Sequence, residues 1–503
     1  MERKYFLKDL IRDAKCSSLS EIESVMVSGI TADSREVEEG FLFVAIKGFK
    51  RDGHDYIKDA IDKGVSAVLV DTAFDETSIG ADILKKITLL KSKDTRESFG
   101  IIASNYFGNP SKELKLIGIT GTNGKTTTSY ILNSILEKAG IVSGMIGTIL
   151  YKIGDEEFPS SLTTPDAFTL NRFLRRMVDS GVTHTIMEVS SHSIRLKRIA
   201  GCSFSLGIFT NLSPEHLDFH KTIEEYYECK KSFFNYLNAN DEAKAIVNID
   251  DKWGRKIAKE FKEKVVTYSF DKPEANFKIL SSKLSKSGIE GSICTGKGVV
   301  NFSSNLIGSF NFSNILAATA AAVELGISPD IIERGIESLD IVPGRFQRIE
   351  GNVDFDIIVD YAHTPDALEK LLTEAKKMCK KDLIVVFGCG GNRDTEKRPL
   401  MGKIASRIGT KIIITSDNPR NENPMDIIND ILKGIDRNRR NNIEVVEDRR
   451  EAIRYAIEKA DAGDTIVIAG KGHEDYQIVG EKIIHLDDKE EVLKAIEGIR
   501  KNN

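Results

Sequence analysis

The residues Gly121-Thr122-Asn123-Gly124-Lys125-Thr126-Thr127 follow an apolar run, Leu114 to Thr120, and open a helical pattern, Lys125 to Ala139, that ends at Gly140. A phosphate-binding loop needs that strand–turn–helix setting. Glycines let backbone N–H groups approach phosphate oxygens, and the helix N-terminus adds its dipole. Lys125 is placed to reach β- and γ-phosphates, and the Thr126 hydroxyl to ligate Mg²⁺. The general pattern has a further glycine five residues before Gly124, where this chain has Ile119. The plainer reading of the segment is a Gly-rich helix start.

Other polar motifs stand where apolar runs end. Glu188-Val-Ser-Ser-His192 closes one such run. A Glu there must be solvated, paired or bound to metal, and either a Mg²⁺ ligand or a structural hydrogen-bonding carboxylate fits the position. Thr210-Asn-Leu-Ser-Pro-Glu-His216-Leu-Asp218 follows another run, with Lys230 downstream in a charged helical stretch. On its own His216 reads as structural, and Lys230 as part of a solvated helix face. Four further loops carry Asp360-Tyr-Ala-His-Thr-Pro365, Gly388-Cys-Gly-Gly-Asn-Arg393-Asp394, Asp417-Asn418-Pro419-Arg420 and Gly470-Lys-Gly-His-Glu474. One such loop is ordinary turn chemistry, but four on one edge of a sheet make a site for a charged ligand. Cys294-Thr-Gly-Lys-Gly298 has no hydroxyl after its lysine and reads as a turn.

The elements that must position these groups fall into three blocks, 1–110, 111–342 and 343–503. The first has short strands at Phe41 to Ile46 and Ala67 to Val70 and a helix at Tyr56 to Lys63, the pattern of a small α/β unit. The second adds buried strands at Thr185 to Val189, Leu206 to Thr210 and Ala245 to Ile249, with antiparallel hairpins over Phe277 to Phe302. The third places strands at Ile357 to Val359, Leu383 to Phe387, Lys411 to Thr415 and Thr465 to Ala469, each followed by a turn and a helix. The fold class is therefore α/β, with parallel sheets covered on both faces. A chain of 503 residues with 71 Lys and Arg against 76 Asp and Glu carries a net charge of −5, which argues against a nucleic-acid coat or a polybasic membrane anchor. Six scattered cysteines, no secretion signal and no long apolar run predict a cytoplasmic protein without a membrane span.

In combination and in order, Gly121 to Thr127, Glu188 to His192, Asn211 to Asp218, Asn311 to Asn314, Gly344-Arg345, Asp360 to Asp366 and Gly388 to Arg393 resemble the Mur ligases, the ATP-dependent amino-acid-adding enzymes of peptidoglycan synthesis. The family's shortened phosphate loop accounts for Ile119. Thr31-Ala-Asp-Ser-Arg35, Thr163-Thr164-Pro165 and Gly470 to Glu474 resemble the member that adds the third residue. The resemblance implies three domains, for a uridine nucleotide, for ATP and for the amino acid. It implies that Thr126 and Glu188 hold one Mg²⁺, and His216 with a carbamate on Lys230 a second. Asn314, Arg345 and Asp360 would lie near the nucleotide. Ala32, Ser34, Phe49, Lys50 and Arg51 would contact the uridine nucleotide, and Thr163, Thr164, Ser190 and Arg198 the rest of that substrate. Leu196 stands where some members have Gln.

The implied reaction joins meso-diaminopimelate to the D-Glu γ-carboxylate of UDP-MurNAc-L-Ala-D-Glu through an acyl phosphate, giving ADP and phosphate, in cell-wall precursor synthesis that serves cell shape and division. A monomer is expected. Asp417, Asn418, Pro419 and Arg420 would select the amino acid, since its far carboxylate needs a bidentate cation. Arg393, Gly470 and Glu474 would complete that site. A lysine-adding member and a folylpolyglutamate-synthase-like ligase are the near alternatives, with the long first block and the Asp417–Arg420 loop speaking against the latter. An NTPase switch would hydrolyse nucleotide without an acceptor, and a binding module would not need Glu188, His216 and Lys230 together.

Overall fold

The computed structural model describes residues 4–18, 20–49, 51–84 and 86–502. The chain packs as two compact units. One gathers the residues up to Thr120 with Gly140–Ile208 and Cys229–Ala245, and the other gathers Gly121–Ala139, Phe209–Glu228 and the chain from Ile246 onward.

In the first unit a five-stranded sheet runs in the order Cys16–Ser18, Thr88–Ser92, Ala67–Asp71, Phe41–Val44, Gly29–Thr31. All neighbours are parallel except the Cys16–Ser18 edge. Successive side chains of a strand point to opposite faces, so Leu42 and Val44 enter one core while Phe43 and Ala45 enter another. A second sheet orders Glu156–Pro159, Leu150–Ile153, Ser143–Ile146, His184–Glu188, Lys115–Thr120 and Leu206–Phe209. Lys115–Thr120 is buried from Leu116 to Thr120, as a strand covered on both faces must be. Its parallel register opposes Glu188 to Ile119, which sets that carboxylate at the carboxyl edge of the sheet.

In the second unit Val265–Ser269 pairs in parallel with Phe277–Ser285, and Gly288–Cys294 and Val299–Ser304 continue as antiparallel hairpins. The hairpins of the sequence reading are thus hydrogen-bonded onto that strand. The Thr295–Gly298 segment is a turn closed by the Thr295 amide on the Gly298 carbonyl at 3.0 Å. The Ala-rich helix Asn311–Glu324 is buried on nearly every side. The Lys125–Lys138 helix touches the next one, Pro329–Glu337, where Ser134 Oγ donates to the Gly335 carbonyl at 2.7 Å.

The C-terminal sheet orders Gln347–Arg348, Asp356–Asp360, Thr465–Ala469, Leu383–Phe387, Lys411–Ile414, Ile443–Val445. Only the first pair is antiparallel. Register aligns Asp360 with Ala469, Ala469 with Phe387, and Phe387 with Ile414, so the four polar loops leave from one edge. Alternate strand residues feed two cores, Ile358, Val385 and Val467 on one face and Ile357, Ile384 and Ile466 on the other. Among the described residues no helix is long and apolar enough to cross a membrane.

The C-terminal helix Asp488–Asn502 is tied to the Arg449–Glu458 helix through its first residue. Arg449 and Asp488 are both fully buried and pair twice at 2.7 Å, from Nε to Oδ1 and from Nη2 to Oδ2. Removing one member of such a pair leaves the other charge uncompensated, at about 3–5 kcal/mol. Asp488→Ala is therefore expected to lower stability by that amount, read as a drop in the urea midpoint, and Asp488→Asn by less. An unchanged midpoint in Asp488→Ala would show that the pair contributes nothing.

Candidate active site

The phosphate loop is built within the second unit. Several helices here are capped by a side chain, as Thr364 caps Pro365–Met378 and Asp448 caps Arg449–Glu458. The Lys125–Lys138 helix begins instead at Gly124, with no side-chain cap. A glycine N-cap offers no side-chain oxygen to the first N–H groups. Gly124 has φ +89°, and a Cβ there would lie 2.4 Å from Asn314 Oδ1. Asn314 is oriented by its own bond to Asn311 Oδ1 at 2.8 Å. Lys125 Nζ folds back onto the Gly121 and Thr122 carbonyls at 3.0 and 2.8 Å.

Neighbouring residues fix the rest of the loop. The Asn123 amide donates to Asn211 Oδ1 at 3.0 Å, and Thr210 Oγ1 and Asn211 Nδ2 donate to the Asn123 carbonyl at 2.6 and 3.1 Å. Thr122 Oγ1 meets the Ser213 amide and the Tyr226 hydroxyl. Asp366 Oδ2 accepts from Asn123 Nδ2 at 2.9 Å and from Ser213 Oγ at 2.8 Å. Arg345 Nη2 donates to Thr126 Oγ1 at 3.2 Å while its guanidinium lies 4.5 Å from the Tyr361 ring centre. Asp360 accepts from the Phe346 and Ala362 amides at 2.6 and 2.7 Å. Burial pushes its pKa up, against the opposing pull of Arg345 and of those amides. His216 Nε2 and His363 Nε2 each stand 3.7 Å from an oxygen of Glu215.

The first unit assembles a second cluster around Glu188, which is 1% exposed. The Thr148 amide and hydroxyl donate to its two oxygens at 3.0 and 2.9 Å, and Thr148 Oγ1 contacts Thr163 Oγ1 at 3.1 Å. Thr164 Oγ1 donates to the Glu188 carbonyl at 2.7 Å and receives the Ser190 amide at 3.1 Å. Arg198 Nη1 donates to the Thr164 carbonyl at 2.9 Å, and burial lowers its pKa. Lys230 is 1% exposed. The solvated face that its charged helix alone suggests is corrected by the fold, which buries that turn: the adjacent Cys229 Sγ donates to the Ser191 carbonyl at 3.2 Å.

The residues expected to meet the uridine nucleotide are more dispersed. Ser34 opens a single 3₁₀ turn capped by Asp33, next to the partly buried Ala32. Phe49 is 76% exposed, with the Arg96 guanidinium 6.0 Å from its ring, and Arg51 is exposed beside Tyr56. Lys50 lies outside the described residues.

The third cluster joins two loops at the carboxyl edge of the C-terminal sheet. Asp417, Asn418 and Pro419 are buried, as are Gly470 and Lys471. Asn418 Nδ2 donates to Glu474 Oε2 at 3.1 Å. Arg420 has φ +53°, a left-handed conformation unfavourable for a side chain of its size. Its amide bonds the Ile478 carbonyl at 3.0 Å, and Nη1 bonds the Gly391 carbonyl at 2.9 Å. Burial works to raise the Asp417 pKa, but the Lys471 and Arg449 charges outweigh it and hold the carboxyl low. Burial and the Asp417 charge push Glu474 up. Arg393 is exposed.

A Gly-rich loop opening a helix and charged loops on the edge of a parallel sheet define a multidomain α/β protein. Known proteins narrow the class. The sequence pattern of the Mur ligase middle domain matches residues 119–322, that of the Mur ligase glutamate ligase domain 344–472, and that described as the Mur ligase family catalytic domain 26–106. A UDP-N-acetylmuramoyl-L-alanyl-D-glutamate–2,6-diaminopimelate ligase of Clostridium perfringens is 45% identical over 499 residues, spanning 98% of this chain and 99% of its own length. The protein of the same name from Bacillus cereus is 43% identical over 96% of both chains. A solved structure of a ligase of that name superimposes with TM-score 0.69 at 32% identity, over 99% of this chain and all of its own. A MurF ligase from Thermotoga maritima in complex with ADP shares the fold, with TM-score 0.61 at 18% identity over 94% of this chain and 98% of its own. The chain belongs to the Mur ligase family.

Three residues in these clusters carried no assignment from the sequence. Thr148 shows no motif, because its bond to Glu188 depends on pairing 40 residues apart. Glu215 and Lys471 lie inside motifs whose other members drew the reading.

The loop geometry has a direct test. Gly124→Ala would force a left-handed alanine against Asn314, and strain of this kind costs about 1–3 kcal/mol. A corresponding loss in urea unfolding is expected, whereas wild-type stability would show that the loop relaxes freely.

Proposed function

We propose that this chain is an ATP-dependent amide ligase that adds meso-diaminopimelate to the D-Glu γ-carboxylate of UDP-MurNAc-L-Ala-D-Glu, yielding ADP and phosphate. The observation that carries this reading is that Asn418 links a cation and an anion on adjoining loops: Arg420 Nη1 donates to the Asn418 carbonyl at 3.4 Å, and Asn418 Nδ2 donates to Glu474 Oε2 at 3.1 Å. The far end of meso-diaminopimelate bears one carboxylate and one ammonium, so its recognition needs one cation and one anion side by side. The names of relatives that match nearly the whole chain support the same substrate.

In this reading block 1–110 binds the uridine nucleotide through Ala32, Ser34, Phe49, Lys50 and Arg51, block 111–342 binds ATP, and block 343–503 binds the amino acid. Thr163, Thr164, Ser190 and Arg198 hold the peptide end of the acceptor, and their hydrogen bonds around Glu188 fix its approach. The uncapped N–H groups after Gly124 cradle the phosphates, and Lys125 exchanges its two carbonyl partners for the terminal phosphates. Asn314, Arg345 and Asp360 flank the nucleotide. Arg393, Gly470 and the Asp417–Arg420 loop complete the amino-acid site. The enzyme works as a cytoplasmic monomer, where its nucleotide substrates are made.

A carboxylate is a poor acylating agent because oxide is a poor leaving group. The D-Glu carboxylate therefore attacks the γ-phosphorus first, and the amine of the diamino acid then displaces phosphate from the acyl phosphate. Thr126 and Glu188 are the oxygen donors suited to one Mg²⁺, and His216 with a carbamylated Lys230 to a second. Among the described residues no three His, Cys, Asp or Glu side chains are grouped as a metal site, so phosphate oxygens and water would complete the shell, as Mg²⁺ prefers. When bound, the ions supply charge that offsets repulsion between triphosphate and carboxylate. A buried ammonium at Lys230 cannot ligate a cation, whereas its carbamate presents carboxylate oxygens.

Lys125→Ala is expected to lower turnover by on the order of 10²-fold or more, the scale of losing a transition-state charge donor. Near-normal turnover would remove the loop from the reaction. For the amino acid, phosphate release is measured with UDP-MurNAc-L-Ala-D-Glu and a panel of diamino acids. L-Lysine should be a very poor substrate. Arg420→Ala should raise the diaminopimelate KM by about 30-fold or more, since breaking a charge pair on one side costs about 2–5 kcal/mol. Addition of L-lysine as efficiently as meso-diaminopimelate by the wild-type enzyme would overturn the assignment.

A further inference from the structure

Lys471 is a lysine with no exposed surface, set in the loop after the Thr465–Ala469 strand. Its Nζ donates to Asn418 Oδ1 at 3.3 Å and to Glu474 Oε2 at 3.4 Å, and lies 5.5 Å from the Tyr476 ring centre. Asn418 Oδ1 also accepts the Ile478 amide at 2.9 Å. Two donors thus fix the carbonyl end of the Asn418 amide, and its NH₂ end must turn to Glu474 Oε2, which it meets at 3.1 Å. The three side chains form a closed ring in which Oε2 of Glu474 is held twice, and no hydrogen bond occupies Oε1 among the described residues.

We propose that Lys471 is a positioning residue of the amino-acid site: it locks Asn418 and one oxygen of Glu474 so that the other oxygen is presented to the distal ammonium of the incoming diamino acid. This rests on the diaminopimelate reading given above. Charge points the same way as geometry. The groups acting on Glu474 are Asp417, Lys471 and Asn418, with the Arg449 charge and the Tyr361 and Tyr476 phenols nearby. Burial and Asp417 favour protonation of Glu474, and Lys471 opposes it. A protonated carboxyl cannot pair with an ammonium, so losing Lys471 weakens substrate binding most at neutral pH. Rising pH restores the carboxylate.

The test is steady-state kinetics of Lys471→Met and Lys471→Gln, with thermal melts of each. The KM for meso-diaminopimelate should rise about tenfold or more at pH 7, the effect of about one pKa unit or more of lost pairing. The KM for ATP should change less than about twofold, and the ratio of mutant to wild-type diaminopimelate KM should shrink towards pH 9. In a Glu474→Gln background, Lys471→Met should add little, because the carboxylate it holds is gone. An unchanged diaminopimelate KM, a pH-independent ratio, equal losses for all substrates, or unfolding of both variants would overturn the proposal. Wild-type enzyme that fails to add meso-diaminopimelate would instead sink the functional reading beneath it.

Discussion

Parallel strands buried on both faces have no room for charged side chains along their length, and this governs where chemistry can sit. Leu383–Phe387 and Thr465–Ala469 are buried at every position, so charge enters only where each strand ends. Parallel register then brings those ends together: Asp360, Ala469, Phe387 and Ile414 are aligned across the C-terminal sheet. The loops beginning at Asp360, Gly388, Asp417 and Gly470 are consequently neighbours although up to 110 residues separate them in sequence. Glu188 obeys the same rule in its own sheet, as the last residue of its strand.

Concentrating ions at sheet edges has a cost, because each buried charge loses several kcal/mol of hydration. The structure meets it by giving buried cations carboxylate partners. Arg449 is matched to Asp488, and Arg398, 2% exposed, is matched to both Glu422 and Asp430 at 2.9 Å. The cluster around Asp417 and Glu474 is less evenly matched. Asp417 and Glu474 share Lys471 and the more distant charge of Arg449, which leaves Glu474 the weaker acid.

Much of this was legible beforehand because the strands are short, apolar and punctuated. The expected Leu383 to Phe387 and Thr465 to Ala469 strands coincide with those observed, and Leu114 to Thr120 differs by one residue. Less regular segments did not announce themselves. Ser143–Ile146 with its hairpin partners Leu150–Ile153 and Glu156–Pro159, and Tyr476–Val479 with Lys482–His485, are four-residue strands with mixed polarity. Their pairing is decided by neighbours rather than by local pattern. Lys230 shows the same limit from the other side. Its helix, Ile223–Ser232, is charged along much of its length, so no periodicity marks the one lysine that is buried. The fold reveals it, leaving Lys230 1% exposed.

One carboxylate joins the Gly121–Thr127 loop to the Pro365–Met378 helix. Asp366 belongs to the first turn of the Pro365–Met378 helix, where a negative charge is favoured by the helix dipole. Its Oδ2 nevertheless accepts from Asn123 in the loop, from Ser213 beside it and from Lys370 on the next turn. Three donors on one oxygen make the arrangement sensitive to any one of them. A group that draws the Asn123 amide towards a phosphate would remove one donor and leave Lys370 and Ser213 to hold the carboxylate. The position of the Pro365–Met378 helix is thereby tied to the state of the phosphate loop by side-chain bonds about 3 Å long rather than by apolar packing alone. Polar links to a carboxylate contribute about 1.5–3 kcal/mol each, and each is a directional constraint on where that helix sits.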